Sequence, residues 1–312
     1  MTMAEPPPLL RIGTRGSPLA LAQARQAAQR IASATGLAPE AIKLEVIRTT
    51  GDMIRDRPLA EAGGKGLFTK EIDDALLAGR IDLAVHSAKD MPTMLPTGLA
   101  LAAVLSREDP RDAFISRKAL SLHDLPMGAK LGTSSLRRQA LVRRLRGDLV
   151  VVNLRGNVET RLRKLDDGTA DATLLALAGL KRLGLAHKAT AVLDIDDFLP
   201  AVGQGIITMV ARSDDARIST LLASLTHAAT ASALAAERAF LAALDGSCRT
   251  PIAGHAVLNG EALHFRGLLA RPDGSAVFET ERHGLAQDAV GMGTDAGREL
   301  KVRAGPAFFA GE

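Results

Sequence analysis

The sequence predicts an α/β protein of two α/β units followed by a smaller α+β domain. Over most of the chain, short apolar runs typical of strands alternate with amphipathic helical segments, a pattern that indicates layered α/β units. Towards the carboxyl end the pattern changes to strands separated by turn sequences, such as Asn259-Gly260. A length of 312 residues accommodates two or three domains.

The first α/β unit begins with a predicted strand over residues 9–14 and a helix after it. Ser17 is a good N-cap and Pro18 suits the first helical position, while Gly36 provides a helix end. The other predicted elements of this unit are strands at 43–48, 81–85 and 99–105 and a helix at 67–77.

The same alternation starts again after a charged connector at residues 107–112. Predicted strands cover residues 113–116, 130–132, 149–153 and 173–176, with helices after Ser135 and over 158–165. A hinge-like segment at 199–205 then leads into another strand at 206–211.

The last part of the chain reads as a long helix over 226–244 and an antiparallel meander. Its predicted strands are residues 256–258, 262–270 and 276–281, followed by a helical segment from about Gln287. We therefore expect three domains. They comprise residues 1–104 with 206–223, residues 105–205, and residues 224–312.

Composition and charge indicate a soluble globular protein. The chain has 39 lysines and arginines against 35 acidic residues, a net charge of +4, and ordinary hydrophobic content of 46%. No segment reaches the length of a membrane span, and the amino-terminal residues lack the apolar core of a signal peptide. One cysteine argues against a disulfide-stabilised secreted fold, so we expect a cytoplasmic protein with no membrane partner.

Cys248 is the single cysteine, and it lies in a loop between Ser247 and Arg249. Gly246 and Pro251 flank this loop and favour an accessible thiol, and the neighbouring arginine favours the nucleophilic thiolate. Considered alone, an inert and buried cysteine is the commoner explanation. The remaining motifs reverse that preference.

Four loops combine glycine or serine with a fixed positive charge at the predicted start of a helix. Such loops place backbone N–H groups beside a cation, which is an arrangement suited to anions. A solvated basic helix face explains any single case better, but four in one chain favour a polyanionic ligand. The loops are residues 14–17, 63–66, 133–138 and 155–157. None has the spacing of a nucleotide-binding motif.

Asp90 is the acidic residue that the sequence singles out, because it follows a buried-type strand and precedes Pro92. This position places its side chain in a cleft at the strand end. Among arginines and lysines its carboxylate could stabilise a developing cation, although a simple turn aspartate is the alternative. The seven histidines show no metal-ligand spacing, so no metal site is expected.

Nine segments together resemble the porphobilinogen deaminase family of tetrapyrrole biosynthesis, in order and at family spacing. They are residues 14–20, 64–68, 86–92, 107–114, 132–138, 154–157, 178–184, 201–205 and 246–248. The resemblance implies three domains, the first two similar to periplasmic binding proteins and the third carrying the cysteine loop.

The resemblance also implies an activity. Members of the family attach a dipyrromethane cofactor through a thioether to the cysteine that aligns with Cys248. They add four porphobilinogen molecules head to tail with loss of ammonia, and water then releases hydroxymethylbilane. The product would pass to uroporphyrinogen-III synthase, and a monomer is expected.

Site residues follow from the matching motifs. Asp90 aligns with the catalytic acid of the family. The implied cofactor-binding residues are Lys89, Thr133, Ser135, Arg137, Arg138, Arg155, Gly156 and Gln204. The implied substrate-binding residues are Arg15, Ser17, Lys65, Phe68, Arg161 and Arg182, with Phe68 placed to pack over a pyrrole ring.

Two other functions share some of these features. A binding protein of the periplasmic type would have the α/β units and the anion-binding loops, but it gives no reason for Cys248. A nucleic-acid-binding protein would use the arginines between residues 137 and 146. However, aromatic residues are only 3% of the chain and tryptophan and tyrosine are absent, so stacking platforms for bases are scarce and no nucleic-acid partner is expected.

Overall fold

The computed structural model describes residues 10–53, 66–245 and 250–309, which form two mixed five-stranded sheets and one antiparallel three-stranded sheet. Helices accompany all three sheets, so the predicted fold class is confirmed. Lys65 and Cys248 lie outside the described residues. No helix within the described ranges is long and apolar enough to cross a membrane.

The strands and helices follow one another along the chain in the expected alternation. The strands are β1 (Leu10–Thr14), β2 (Ile42–Val46), β3 (Leu83–Ser87), β4 (Leu99–Val104), β5 (Asp112–Ser116), β6 (Lys130–Gly132), β7 (Val150–Val152), β8 (Ala172–Ala176), β9 (Ala191–Val192), β10 (Ile207–Arg212), β11 (Ile252–Asn259), β12 (Ala262–Ala270) and β13 (Val277–Leu285). The helices are α1 (Pro18–Thr35), α2 (Thr50–Met53), α3 (Lys70–Leu77), α4 (Leu136–Leu145), α5 (Val158–Asp166), α6 (Leu177–Arg182), α7 (Ala216–Leu222), α8 (Ala228–Ala243), α9 (Ala289–Ala304) and α10 (Pro306–Phe309).

The first sheet has the strand order β2-β1-β3-β10-β4. β1 pairs in parallel with β2 and β3, whereas β10 is antiparallel to both β3 and β4. Since the carboxyl ends of β1 and β3 lie at one edge of the sheet, the loops that follow these strands meet there. Leu10, Ile12, Leu83 and Met209 belong to its buried core with α1.

The second sheet repeats this arrangement with the order β7-β6-β8-β5-β9. β6 is parallel to β7 and β8, and β5 is antiparallel to β8 and β9. The carboxyl ends of β6, β7 and β8 therefore share an edge, from which the loops leading to α4, α5 and α6 arise.

The third sheet is the meander β11-β12-β13, and α8 and α9 cover one face. Phe240 of α8 and Phe265 of β12 are fully buried there, with ring centroids 5.0 Å apart. The loop that carries Cys248 connects α8 to β11, so both of its flanking elements are held in this layer.

The structure extends some predicted elements and adds others. The first and third strands of the meander, β11 and β13, are longer than predicted, because backbone pairing continues past the apolar residues. The predicted helix at 67–77 begins only at Lys70, since Gly66 has a φ of 80° and residues 66–69 form a turn. Helices α6 and α7 were not predicted; both are short and give little periodic signal.

Candidate active site

Asp90 lies at the carboxyl edge of the first sheet, in a short 3-10 turn, Ala88–Asp90, that follows β3. Its side chain is exposed, and it lines a small cavity with Arg15, Phe68, His86 and Ser87. Arg15 follows β1, so the parallel pairing of β1 and β3 brings the two motifs together. The predicted projection of Asp90 from a strand end agrees with this geometry.

Arg15 and Phe68 contact each other across this cavity. The guanidinium carbon of Arg15 lies 4.1 Å from the centroid of the Phe68 ring, within the range of a cation–π interaction. The expected packing of Phe68 against a pyrrole ring stays a prediction. Ser17, also expected to bind substrate, caps α1 by accepting a hydrogen bond from the backbone N–H of Ala20 at 3.3 Å.

His86 and Gln23 are buried polar residues to which the sequence assigned no role. Burial, assisted by the charge of Arg15, lowers the pKa of His86 to about 4, so its imidazole is neutral at physiological pH. Its Nε2 is buried and has no hydrogen-bond partner among the described residues. Gln23 donates to the Ser87 hydroxyl at 2.7 Å and so fixes the end of β3. Position within the 86–92 motif was the signal available for His86.

Lys89 extends towards the second sheet, and its Nζ donates to the side-chain oxygen of Gln204 at 3.2 Å. Lys89 is exposed to solvent. The surrounding protein atoms nevertheless reduce the hydration of its charge. Burial and the positive charge of Arg138 together lower the pKa of Lys89 to about 8, only partly opposed by the negative charges of Asp90 and Asp112. The charge of Lys89 therefore depends on the charged groups that surround it.

Gln204 is almost fully buried in the segment between β9 and β10, where the chain crosses from the second sheet back to the first. Its amide nitrogen donates to the Pro110 carbonyl at 2.7 Å and to the Asp112 carboxylate at 3.0 Å. These two bonds orient the amide, so its oxygen faces Lys89. Gln204 thus lies between the first two sheets, and its expected contact with the cofactor stays a prediction.

Arg137 and Arg138 are buried and both bind Asp112. Nη2 of Arg137 lies 2.7 Å from one carboxylate oxygen, and Nη2 of Arg138 lies 2.6 Å from the other. Burial alone would raise the pKa of Asp112, but the two guanidinium charges hold it well below its usual range. Nε of Arg137 is buried and has no partner among the described residues. Their expected contact with cofactor carboxylates stays a prediction.

Thr133 and Ser135 shape the loop between β6 and α4. The buried Thr133 hydroxyl accepts a hydrogen bond from the backbone N–H of Ser135 at 3.2 Å. The Ser135 hydroxyl accepts one from the backbone N–H of Arg138 at 3.4 Å and caps the helix. These two hydrogen bonds fix the start of α4, and the backbone N–H groups at a helix start favour an anion.

Arg161 and Gly156 contact each other in the loop after β7. Nε of Arg161 donates to the Gly156 carbonyl at 2.8 Å. Burial, together with the nearby positive charges of Arg138 and Arg155, lowers the pKa of Arg161 to about 10. Gly156 has a φ of 122°, and a Cβ there would approach Thr160 to 2.6 Å, so the turn requires glycine.

Arg182 lies on α6 and points towards the same crossing. Its Nη2 donates to the Gly205 carbonyl at 2.7 Å, while its Nε is buried without a partner within the described part of the chain. Burial lowers the pKa of Arg182. One nitrogen of Arg182 therefore binds the backbone at Gly205, and its Nε–H group can donate to another acceptor.

The structure therefore gathers most of the predicted residues around one cleft. Asp90 lies close enough to affect the protonation of both Lys89 and Arg161, and Arg138 affects the same two cations. A carboxylate surrounded by several cations suits a polyanionic ligand that develops positive charge during reaction. Arg15 and Phe68 form the wall on the side of the first sheet.

Comparison with family models identifies both parts of the chain. Residues 10–220 match the model described as "Porphobilinogen deaminase, dipyromethane cofactor binding domain". Residues 231–302 match "Porphobilinogen deaminase, C-terminal domain".

Comparison with solved structures finds matches of low sequence identity. A periplasmic substrate-binding protein of an ABC transporter from Coxiella burnetii is 16% identical, with a TM-score of 0.43, covering 69% of this chain and 91% of that chain. YhfZ from Shigella flexneri is 19% identical, with a TM-score of 0.37, covering 76% of this chain and 97% of that chain.

Curated relatives match over nearly the whole length. Porphobilinogen deaminase of Nitrobacter hamburgensis is 61% identical over 301 residues, covering 96% of this chain and 95% of the relative. Porphobilinogen deaminase of Nitrobacter winogradskyi is 60% identical over the same coverage. With both family models matched in order and identity of this size, the chain belongs to the porphobilinogen deaminase family.

Proposed function

We infer that this chain is a transferase that makes hydroxymethylbilane. It condenses four porphobilinogen molecules head to tail onto a dipyrromethane primer, with loss of ammonia at each addition, and water then releases the product. The observation that carries this inference is the position of Asp90, a carboxylate in a cleft lined by cations from the family's own motifs. Membership of the family fixes the reaction type.

The residues of the cleft fit a cofactor that carries several carboxylates. Arg137 and Arg182 each keep a buried Nε–H without a partner among the described residues, and Lys89 and Arg161 add nearby positive charges. Unpaired buried donors are costly and are satisfied by a bound acceptor. These residues, with Arg155, would hold the acetate and propionate groups. When bound, dipyrromethane supplies the pyrrole carbon to which the first substrate is joined.

Attachment of the cofactor is assigned to Cys248 through a thioether. The loop is flanked by α8 and β11, and Leu244 and Ile252 at its two ends are buried in the core of the third sheet. The described residues on either side of this connection are therefore anchored in the third sheet's core.

Asp90 is assigned the role of catalytic acid and cation stabiliser. Loss of ammonia leaves positive charge on the pyrrole of the substrate, and a carboxylate beside the pyrrole N–H stabilises that charge. Lys89, Arg161 and the Arg15–Phe68 wall bind and orient the anionic side groups. Because His86 is neutral, Arg15 provides the positive charge of this wall.

The proposal extends to the organisation of the molecule and its setting. The three domains are residues 1–104 with 206–223, residues 105–205, and residues 224–312, each containing one of the three sheets. We further propose a cytoplasmic monomer whose product passes to uroporphyrinogen-III synthase. The single cysteine supports a reducing compartment.

The mass of the intact, denatured protein tests this function directly. The purified wild type is expected to exceed its sequence mass by two porphobilinogen units less two ammonias, and to gain further single units on incubation with porphobilinogen. Cys248→Ala is the matched control and should carry no adduct. A wild type with the bare sequence mass, unchanged by porphobilinogen under reducing conditions, would instead favour a non-catalytic binding protein.

A further inference from the structure

Two histidines and a glutamate lie together on the face of the third sheet that α8 and α9 leave uncovered. His264 of β12 is directly opposite His283 of β13, and their rings stack with centroids 4.4 Å apart and an interplanar angle of 3°. Glu281 precedes His283 by two residues and therefore points to the same face of the sheet. The antiparallel register thus fixes three potential metal ligands on two neighbouring strands.

The carboxylate of Glu281 contacts both imidazoles. One oxygen lies 3.2 Å from Nε2 of His283 and also forms a hydrogen bond with Nε2 of His264. All three ligand atoms lie within 4.8 Å of one another. The three side chains are between 36% and 72% exposed, so a solvated ion can reach them.

The arrangement of neighbouring charges leaves Glu281 available to the imidazoles. Arg266 is directly opposite Glu281 in the strand register and would be its natural ion-pair partner. Instead, Arg266 binds the carboxylate of Asp196, and its second nitrogen lies 3.4 Å from the Asp196 carbonyl. Asp197 lines the groove beside the cluster and adds negative charge that attracts cations, whereas the Glu279 carboxylate in the same groove is paired with Arg144.

We propose that His264, Glu281 and His283 form a binding site for a divalent transition-metal ion of the zinc class. Two imidazoles and one carboxylate are a donor set that zinc accepts with three protein ligands, leaving a fourth position for water. A tetrahedral ion with bonds of about 2.0–2.1 Å holds its ligand atoms about 3.4 Å apart. Rotation of the exposed side chains achieves this contraction while the strand backbones stay paired.

The proposed ion would cross-link β12 and β13 in the domain that carries the Cys248 loop. None of its ligands belongs to the active-site cleft, so the metal has no part in the condensation. Its effect is on the stability of the third sheet, because an ion that binds only the folded protein shifts the folding equilibrium towards it.

Equilibrium dialysis of the untagged holoenzyme against Zn²⁺, after treatment with a chelator, tests the site. The wild type is expected to bind one ion per chain, and His283→Ala and Glu281→Gln should each weaken binding at least about tenfold. His123→Ala is the matched control, because His123 is exposed and lies outside the cluster; it should bind as the wild type does. Turnover should be the same in all four proteins.

Electron paramagnetic resonance with Cu²⁺ gives a second, independent measurement. The wild-type spectrum is expected to show two nitrogen ligands and the His283→Ala spectrum one. The proposal is wrong if the wild type binds no stoichiometric Zn²⁺, if His283→Ala binds it with unchanged affinity, or if His123→Ala loses it equally.

Discussion

At the residue scale, the chemistry proposed for the cleft depends on the position of one carboxylate. Asp90 follows β3 in a turn, while the nearby side chains of Arg15, Lys89 and Arg161 are cationic. Cations bind the anionic side groups of a substrate but oppose positive charge on its ring. We therefore expect the Asp90 carboxylate to lower the barrier by stabilising that positive charge.

Replacement of Asp90 by asparagine should abolish catalysis and leave the fold intact. The amide keeps the shape of the side chain but cannot stabilise a cation, so turnover is expected to fall by about 10²–10⁴-fold. Steady-state formation of hydroxymethylbilane measures this loss. Circular dichroism and intact mass should match the wild type, including the bound cofactor; near-normal turnover would refute the assignment.

The pKa of Lys89 predicts a pH dependence of substrate capture. The ammonium form is the one proposed to bind carboxylates, and a pKa of about 8 means that this form is lost as the pH rises through that value. We expect kcat/KM of the wild type to decrease above about pH 8. Lys89→Arg keeps its charge and should lack this decrease, so an identical profile in both proteins would contradict the role.

The lowered pKa of Lys89 also makes the stability of the folded protein depend on pH, and here stability increases as the pH rises. The folded pKa of about 8 lies below the ordinary value of 10.5, so between these values the unfolded chain binds more protons than the folded protein. The destabilising contribution of Lys89 is therefore fully present below about pH 8 and diminishes as the pH rises towards 10.5. Urea unfolding of Lys89→Met, which lacks the titration, provides the comparison.

At the scale of elements, local signals were sufficient for several boundaries. Ser17 and Pro18 start α1 and Gly36 ends it in the left-handed conformation, as predicted, because caps depend on a few adjacent residues. The insertion of β10 between β3 and β4 has no such signal. Strand neighbours separated by more than a hundred residues are chosen by packing, not by local sequence.

The crossing that leads into β10 requires glycine at position 205. Gly205 has a φ of 89°, and a Cβ there would lie 2.2 Å from the Glu108 carbonyl oxygen. We expect Gly205→Ala to cost about 1–3 kcal/mol more than Gly128→Ala, because overpacking adds to the shared backbone strain. Gly128 has a φ of 75° and no atom within 4 Å of the added Cβ. Equal urea midpoints for the two variants would show that the backbone around Gly205 relaxes to accommodate the added methyl group.

At the scale of the whole molecule, one buried carboxylate binds both segments that connect the first two sheets and one strand of the third sheet. Glu237 of α8 is fully buried and binds Arg107, whose Nη1 lies 2.5 Å away. It also accepts hydrogen bonds from the backbone N–H of Gly203 at 2.6 Å and of Ala256 at 2.8 Å. Arg107 in turn donates to the Gln204 carbonyl at 2.9 Å, so this network reaches the residue that faces Lys89.

Replacement of Glu237 by glutamine should destabilise the molecule strongly. The change leaves the charge of Arg107 buried without its partner, which is expected to cost about 3–5 kcal/mol. Asp74→Asn is a suitable control, because its ion pair with Lys70 is exposed and should contribute less than about 1 kcal/mol. Free energies of unfolding in urea measure both. A loss no larger than that of the control would mean that the junction does not depend on this charge.

The sequence by itself determined the fold class, the order of the main elements, the family and the type of cofactor, and these predictions are confirmed. They depend on periodicity, caps and ordered short motifs, which are properties of adjacent residues. The individual site assignments and the domain limits stay predictions.

Only the tertiary structure decided which distant side chains meet. Arg137 and Arg138 were assigned to a ligand from their motif, yet their main partner here is Asp112, and Gln204 joins the same carboxylate. His264 and His283 showed no ligand spacing along the chain, but the register of a β-hairpin places them face to face. Such contacts depend on strand register and on the packing of remote segments, which no short stretch of sequence encodes.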